Sequence, residues 1–183
     1  MRKKPTKKNQ KKAIDITNEG LIPEDTPIVF RHKLKPKTEN QSEYIRLVAE
    51  NTITFCHGVA GSGKTHIAIG MALEYLLSQK VERIIITRPV LEAGEKIGYL
   101  PGTAGEKLHP YLLPILDEIN YFLSLPLYNK LKAINRIEIV PLGLMRGRSF
   151  HKCFIVADEC QNASYDQLKM LLTRIGMESK IIS

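Results

Sequence analysis

Two short stretches carry residue types suited to phosphate chemistry. The first is Gly58-Val59-Ala60-Gly61-Ser62-Gly63-Lys64-Thr65, which fits the pattern G-x-x-x-x-G-K-[ST]. Glycines at these positions let backbone N–H groups turn inward on phosphate oxygens without Cβ hindrance. Gly58, Ala60, Gly61, Ser62 and Gly63, continuing to Lys64, Thr65 and His66, are the candidate nucleotide cradle. Lys64 is spaced to reach the β- and γ-phosphates, and the Thr65 hydroxyl to hold Mg²⁺. The second stretch is Cys153-Phe154-Ile155-Val156-Ala157-Asp158-Glu159, an apolar run ending in two acids. Acids at a strand end downstream of a phosphate loop form a Walker-B arrangement. Asp158 is then a Mg²⁺ ligand, directly or through water, and Glu159 orients and deprotonates an attacking water. Gln161 and Asn162 follow as candidate γ-phosphate sensors. A Gly-rich turn that binds nothing, and an acid pair that merely starts a helix, are the alternatives.

The elements around these stretches favour the chemical reading. Thr52 to Cys56 reads as a short strand, and His66 to Leu77 as a helix with Ile67, Ala68, Met71, Ala72 and Tyr75 on one stripe. Strand, loop and helix in that order are what the motif needs, and the helix N-terminus adds its dipole to the phosphate site. Residues 82–87, Glu-Arg-Ile-Ile-Ile-Thr, read as a parallel strand buried on both faces, because Ile84 to Ile86 form a continuous apolar run. Residues 91–135 read as an insertion with helical segments around 105–123 and 126–134, the first interrupted by Pro110 and Pro114. Tyr111, Leu112, Ile115, Leu116, Ile119 and Phe122 have helical spacing and read as core. Strands follow at 136–140 and 153–157. A helix over 164–175 is capped by Ser164 and closed by Gly176, and a last strand begins at Lys180.

Composition bounds the rest. A chain of 183 residues with 43% hydrophobic content makes one packed domain with a tail. No apolar run approaches the roughly eighteen residues of a membrane span, and no secretory signal is evident, so no membrane partner is expected. Cys56, Cys153 and Cys160 are odd in number and form no C-x-x-C pair, which suits a reducing, cytoplasmic setting. The formal charge of +8 is concentrated: Arg2, Lys3, Lys4, Lys7, Lys8, Lys11 and Lys12 precede any acid. Residues 1–12 are a disordered basic tail, acting as a nucleic-acid arm or as a solubilising segment. Residues 13–36 form an N-terminal extension in which Ile28-Val29-Phe30 reads as a short strand, and residues 37–183 form the domain.

Three further positions have two readings each. Gln41, near the start of a helix capped by Thr38 or Asn40 and running to about Glu50, presents a donor and an acceptor to an adenine edge, or is simply exposed. Arg88 ends a strand, where α/β sheets carry ligands, and contacts phosphate or nucleic acid, or faces solvent. Arg146 and Arg148 flank Gly147 in a basic loop that engages phosphate, or is a charged surface turn.

The ordered set of motifs resembles the PhoH family of P-loop proteins, itself similar to the ATPase core of superfamily-1 helicases. The matching pieces are Lys37 to Gln41, Gly58 to Thr65, Thr87-Arg88-Pro89, Ala93 to Lys96 with Tyr99 to Gly102, Met145 to Arg148, Asp158 to Asn162, and Leu172 to Gly176. The resemblance implies a three-layer α/β, RecA-like P-loop NTPase fold with a mainly parallel sheet. It implies ATP and Mg²⁺ as cofactors, and RNA or single-stranded DNA as partner. It also implies a homo-oligomer, in some members a ring, in which Arg148 or Arg174 completes a neighbour's site. Two departures stand out: Cys160 replaces a usual Ala, and the Lys180 strand ends at Ser183 without the family's Thr-Gly-Asp-type sensor. That strand is expected between the loop strand and the Walker-B strand, and the domain is expected to be C-terminally truncated. The expected activity is Mg-dependent ATP hydrolysis. The alternatives are a non-hydrolysing nucleotide-binding or interaction module and a small-molecule kinase, for which no acceptor-binding signature is visible.

Overall fold

The computed structural model describes residues 30–89 and 104–183, with backbone only for 104–111. The basic tail, most of the N-terminal extension with its Ile28–Val29 segment, and the motifs between Glu92 and Gly102 lie outside the described residues.

The elements run α1 (Glu39–Glu50), β1 (Ile53–Thr54), α2 (Lys64–Leu77), β2 (Arg83–Thr87), α3 (Ala104–Phe122), α4 (Leu125–Ala133), β3 (Ile137–Ile139), β4 (Cys153–Ala157), α5 (Tyr165–Leu172) and β5 (Lys180–Ile182). Among the described residues, five strands make one sheet in the order β1-β5-β4-β2-β3, and every pairing between them is parallel. β5 therefore lies between the loop strand and the acid-bearing strand, as expected.

Alternation along the strands divides the core into two. Ile84, Ile86, Phe154, Val156 and Ile182 face α1 to α4, while Ile85, Cys153, Ile155, Ala157 and Ile181 face α5 and the 3₁₀ turn Leu142–Met145. Apolar residues on both faces of one strand need helices on both sides, and so three layers. α2 is buried nearly all round, beyond the single stripe its spacing suggests: Ile67 to Leu73 and Leu76 are all buried.

Three expectations need correction. Pro110 and Pro114 do not divide α3, which is one helix from Ala104 to Phe122. A proline ring removes one hydrogen bond and crowds the carbonyl four residues back. Here Ile115, Ile119 and Phe122 on the following turns are fully buried, and that packing holds the helix together. α5 ends at Leu172, short of Gly176. Gly176 serves a different purpose: its N–H bonds the Phe150 carbonyl at 2.7 Å, and a Cβ there would lie 2.7 Å from that same oxygen. The glycine permits a close backbone crossing rather than a helix stop. β1 is only two residues long, although its ladder extends further: Ile181 N–H bonds the Thr52 carbonyl and Cys56 N–H bonds that of Ser183.

Candidate nucleotide site

The phosphate loop leaves β1 and enters α2 through Gly63, whose φ of 84° is a left-handed conformation open to glycine at little cost. Gln41 of α1 braces the loop from outside. Its Nε2 donates to the Ser62 carbonyl at 3.0 Å and its Oε1 accepts from Lys37 N–H at 2.6 Å. Both ends of the amide that could read an adenine edge are thus engaged with backbone. The Lys64 ammonium donates to the carbonyls of Gly58 and Val59 at 2.8 and 2.9 Å. With three donors on an ammonium, one is left for an anion over the loop.

Asp158 and Glu159 emerge at the C-terminal end of β4, beside the loop. Asp158 N–H continues the sheet by bonding the Thr87 carbonyl. Its Oδ1 accepts a 2.9 Å hydrogen bond from Thr65 Oγ1. The next residue, Glu159, has a φ of 55°, sparsely populated for a non-glycine residue, and it starts the 3₁₀ turn Cys160–Asn162. Gln161 Nε2 on that turn donates to the Glu159 carboxylate. Arg88, from the end of β2, lies 4.0 Å from Asp158 Oδ2 and 3.6 Å from Glu159 Oε1. Thus Arg88 faces the two acids.

Burial pushes the Asp158 carboxyl above the usual carboxylate range. The Thr65 hydrogen bond and Arg88 pull it down, and the charge of Glu159 pushes it up again. Burial also raises Tyr44, aided by Cys56 and Asp158, and raises Cys160. Burial thus favours the neutral forms of the Cys160 thiol and the Tyr44 phenol beside the two acids.

These groups line an open cavity of about 820 Å³, bounded by the loop, the two acids, Gln161 and Tyr44. The size suits a nucleotide-sized ligand. The Thr65 hydroxyl and Asp158 carboxylate are hard oxygen donors, the set that suits Mg²⁺. His66 and Glu118 also line it, joined by a 2.7 Å contact between Nδ1 and Oε2. Glu118, Tyr44 and Cys56 were not legible as site residues. Tyr44 reads as an ordinary helix-face residue, and Glu118 becomes a neighbour only because α3 packs on α2.

Arg148 and Arg174 do not line this cavity. Arg148 forms a bidentate pair with Glu138 of β3 at 2.7 and 2.8 Å and covers the Phe150 ring at 4.8 Å. Arg174 reaches the Arg148 carbonyl and the Thr173 hydroxyl.

A parallel sheet between two helical layers, a phosphate loop joining β1 to α2, and a strand-end Asp that meets the loop threonine define a protein of the P-loop NTPase-like class. The family model described as PhoH-like protein matches residues 33–183, and the chain belongs to the PhoH family. It is 46% identical over 149 residues to a PhoH-like protein of Mycobacterium tuberculosis, an alignment covering 81% of this chain and 42% of that one. It is 42% identical over 149 residues to a PhoH-like protein of Synechocystis, covering 81% and 45%. It is 40% identical over 148 residues to Protein PhoH of Escherichia coli K12, covering 80% and 42%. The chain spans less than half the length of these relatives. Among the described residues, no helix is long and apolar enough to cross a membrane.

Proposed function

We propose that the chain binds Mg·ATP and hydrolyses it, in work on RNA or single-stranded DNA in the cytoplasm. The observation that carries the ATP reading is the Thr65–Asp158 hydrogen bond, which brings two Mg²⁺-type oxygen ligands together beside Glu159. In this scheme the backbone from Gly58 to Thr65 cradles phosphate oxygens, and Lys64 turns its remaining donor to the terminal phosphates. Thr65 and Asp158 hold Mg²⁺, which supplies charge neutralisation to the phosphate groups when bound. Glu159 positions the attacking water and takes its proton, with Gln161 fixing the carboxylate. Arg88 offsets the repulsion between the two acids. A homo-oligomer, with Arg148 or Arg174 serving a neighbouring site, extends the scheme.

A second reading is a nucleotide-binding module without turnover. It is favoured by the engagement of the Glu159 carboxylate with both Gln161 and Arg88, which competes with a base role. Steady-state ATPase activity with Mg²⁺, with and without single-stranded RNA, decides between them. Under the hydrolysis reading, Lys64→Ala and Glu159→Gln both abolish turnover, and RNA raises it in the unaltered chain. ATP binding with no turnover above background would leave the binding module.

A further inference from the structure

We infer that residues 31–37, with the His32–Tyr121 stack beside them, form a track for single-stranded nucleic acid. This deepens the nucleic-acid half of the function proposed above and stands apart from its ATP half. The segment Arg31-His32-Lys33-Leu34-Lys35-Pro36-Lys37 holds four cations and no acid. All of its residues except Leu34 are exposed.

The segment is anchored rather than loose. Arg31 N–H bonds the Phe122 carbonyl at 2.8 Å, and its guanidinium bonds the Asn120 carbonyl at 3.2 Å, both at the end of α3. Leu34 packs into the core at Gly70, where a Cβ would lie 2.8 Å from its methyl group. At the far end Lys37 N–H is held by Gln41, which in turn braces the phosphate loop. Two backbone hydrogen bonds, at Arg31 and Lys37, and the packed Leu34 side chain therefore fix a row of exposed cations in place.

The cations lack the usual neutral explanation. Among the described residues, Lys33, Lys35 and Lys37 have no ion pair. Glu118 of the adjacent helix is already taken by His66. A fixed row of unpaired lysines favours a polyanion.

The rings beside it narrow the polyanion to one with bases. His32 stacks on Tyr121 with centroids 4.4 Å apart and planes at 28°. Tyr121 is 47% exposed, although it is a large aromatic, and His66 and Phe122 support it edge-on. Exposed stacked rings next to backbone-tracking cations are how single strands are held without sequence preference. An acidic peptide would use the lysines and leave the rings idle.

The test is fluorescence anisotropy of a labelled oligouridylate with the full chain over a range of salt. The basic tail is a competing binder, so every variant is made with Lys3, Lys4, Lys7, Lys8, Lys11 and Lys12 changed to Gln. In that background, Lys33→Gln with Lys35→Gln is expected to weaken binding about tenfold and to flatten the log–log salt slope by about 1.4, since each single-strand phosphate contact contributes roughly 0.7. Tyr121→Leu is expected to weaken oligouridylate binding about tenfold, while binding of an abasic oligomer of equal length stays unchanged. Melting temperature and binding of a fluorescent ATP analogue are read on the same samples. Failure to bind the analogue counts against the ATP reading and leaves the track untouched. Loss of all RNA binding on neutralising the tail, or unchanged affinity in the Lys33/Lys35 variant, would overturn the inference. Equal losses on the abasic oligomer in Tyr121→Leu would overturn it too, since the ring would then act through structure alone.

Discussion

Thr65 Oγ1 and Asp158 Oδ1 are 2.9 Å apart, although 93 residues separate them in the chain. The contact joins the first turn of α2 to the end of β4. It gives the part-buried Asp158 carboxylate a donor that offsets some of its desolvation. It also sets the spacing of the two oxygens proposed to hold Mg²⁺. One hydrogen bond thus serves both the fold and the site.

Thr65→Val keeps the shape and removes the hydroxyl. Stability is expected to fall by about 1 kcal/mol, the cost of a part-buried acceptor losing its donor. For a chain of this size that lowers Tm by about 3 °C. The rise in Tm that Mg·ATP produces in the unaltered chain should vanish, and Thr65→Ser should restore it. A Val variant still stabilised by Mg·ATP would remove Thr65 from the metal site.

Asp158→Asn tests the cost of the buried charge. Burial raises the Asp158 pKa, so the folded state binds its proton more tightly than the unfolded state does. The associated stability is present below the ordinary Asp value and is lost as pH rises through the raised one. Asn keeps an acceptor for Thr65 without the charge. The Asn variant should therefore melt higher at neutral pH, by about 3 °C per kcal/mol, with the gap closing below about pH 4. Mg·ATP binding should be lost in the same variant. A lower neutral-pH Tm would mean that Arg88 and Thr65 outweigh desolvation.

Much of this organisation was legible because its signals are local. The loop glycines, the apolar runs at 84–86 and 153–157, and the Ser164 cap each announce themselves within a few residues. Illegible features arise where distant segments meet. Gly176 looks like a helix stop until Phe150 is seen crossing beneath it, and Pro114 looks like a break until the burial of Ile115 and Ile119 is known. Arg88 shows only as a strand-end cation. That it faces Asp158 and Glu159 follows from β2 pairing with β4, a long-range fact with no sequence signature. The cationic segment at 31–37 was hidden for another reason. The Lys-rich tail dominates the charge count, and only packing shows which lysines are fixed.

Lys180 supplies a helix cap from another element. α1 has no basic residue in its last turn, and the Lys180 ammonium donates to the carbonyls of Val48, Ala49 and Asn51 at 3.0, 3.0 and 2.6 Å. All three donors are spent on the negative end of the helix. Lys180→Met keeps the aliphatic stem and loses these bonds. The expected cost is about 2 kcal/mol, a fall in Tm of about 4–8 °C, with faster amide exchange concentrated in the last turn of α1. A uniform increase in exchange across the sheet would instead point to a packing defect in β5.

The Glu138–Arg148 pair is the place where edge stability and a role between subunits can be separated. The bidentate contact holds the Glu138 carboxyl below the usual range. Its contribution is thus present above the ordinary carboxylate value and lost as pH falls through the lowered one. Both partners are substantially solvated, so Glu138→Gln should cost only about 0.5 kcal/mol, or about 1–2 °C at neutral pH, with the difference fading in acid. If Arg148 serves a neighbouring nucleotide site, the same substitution releases its guanidinium and should raise turnover at protein concentrations where the chain associates. Arg148→Ala should abolish that concentration-dependent part while melting close to the unaltered chain. Turnover that ignores both substitutions at every protein concentration would take Arg148 out of the catalytic scheme and leave the pair as a clasp between β3 and the segment leading to β4.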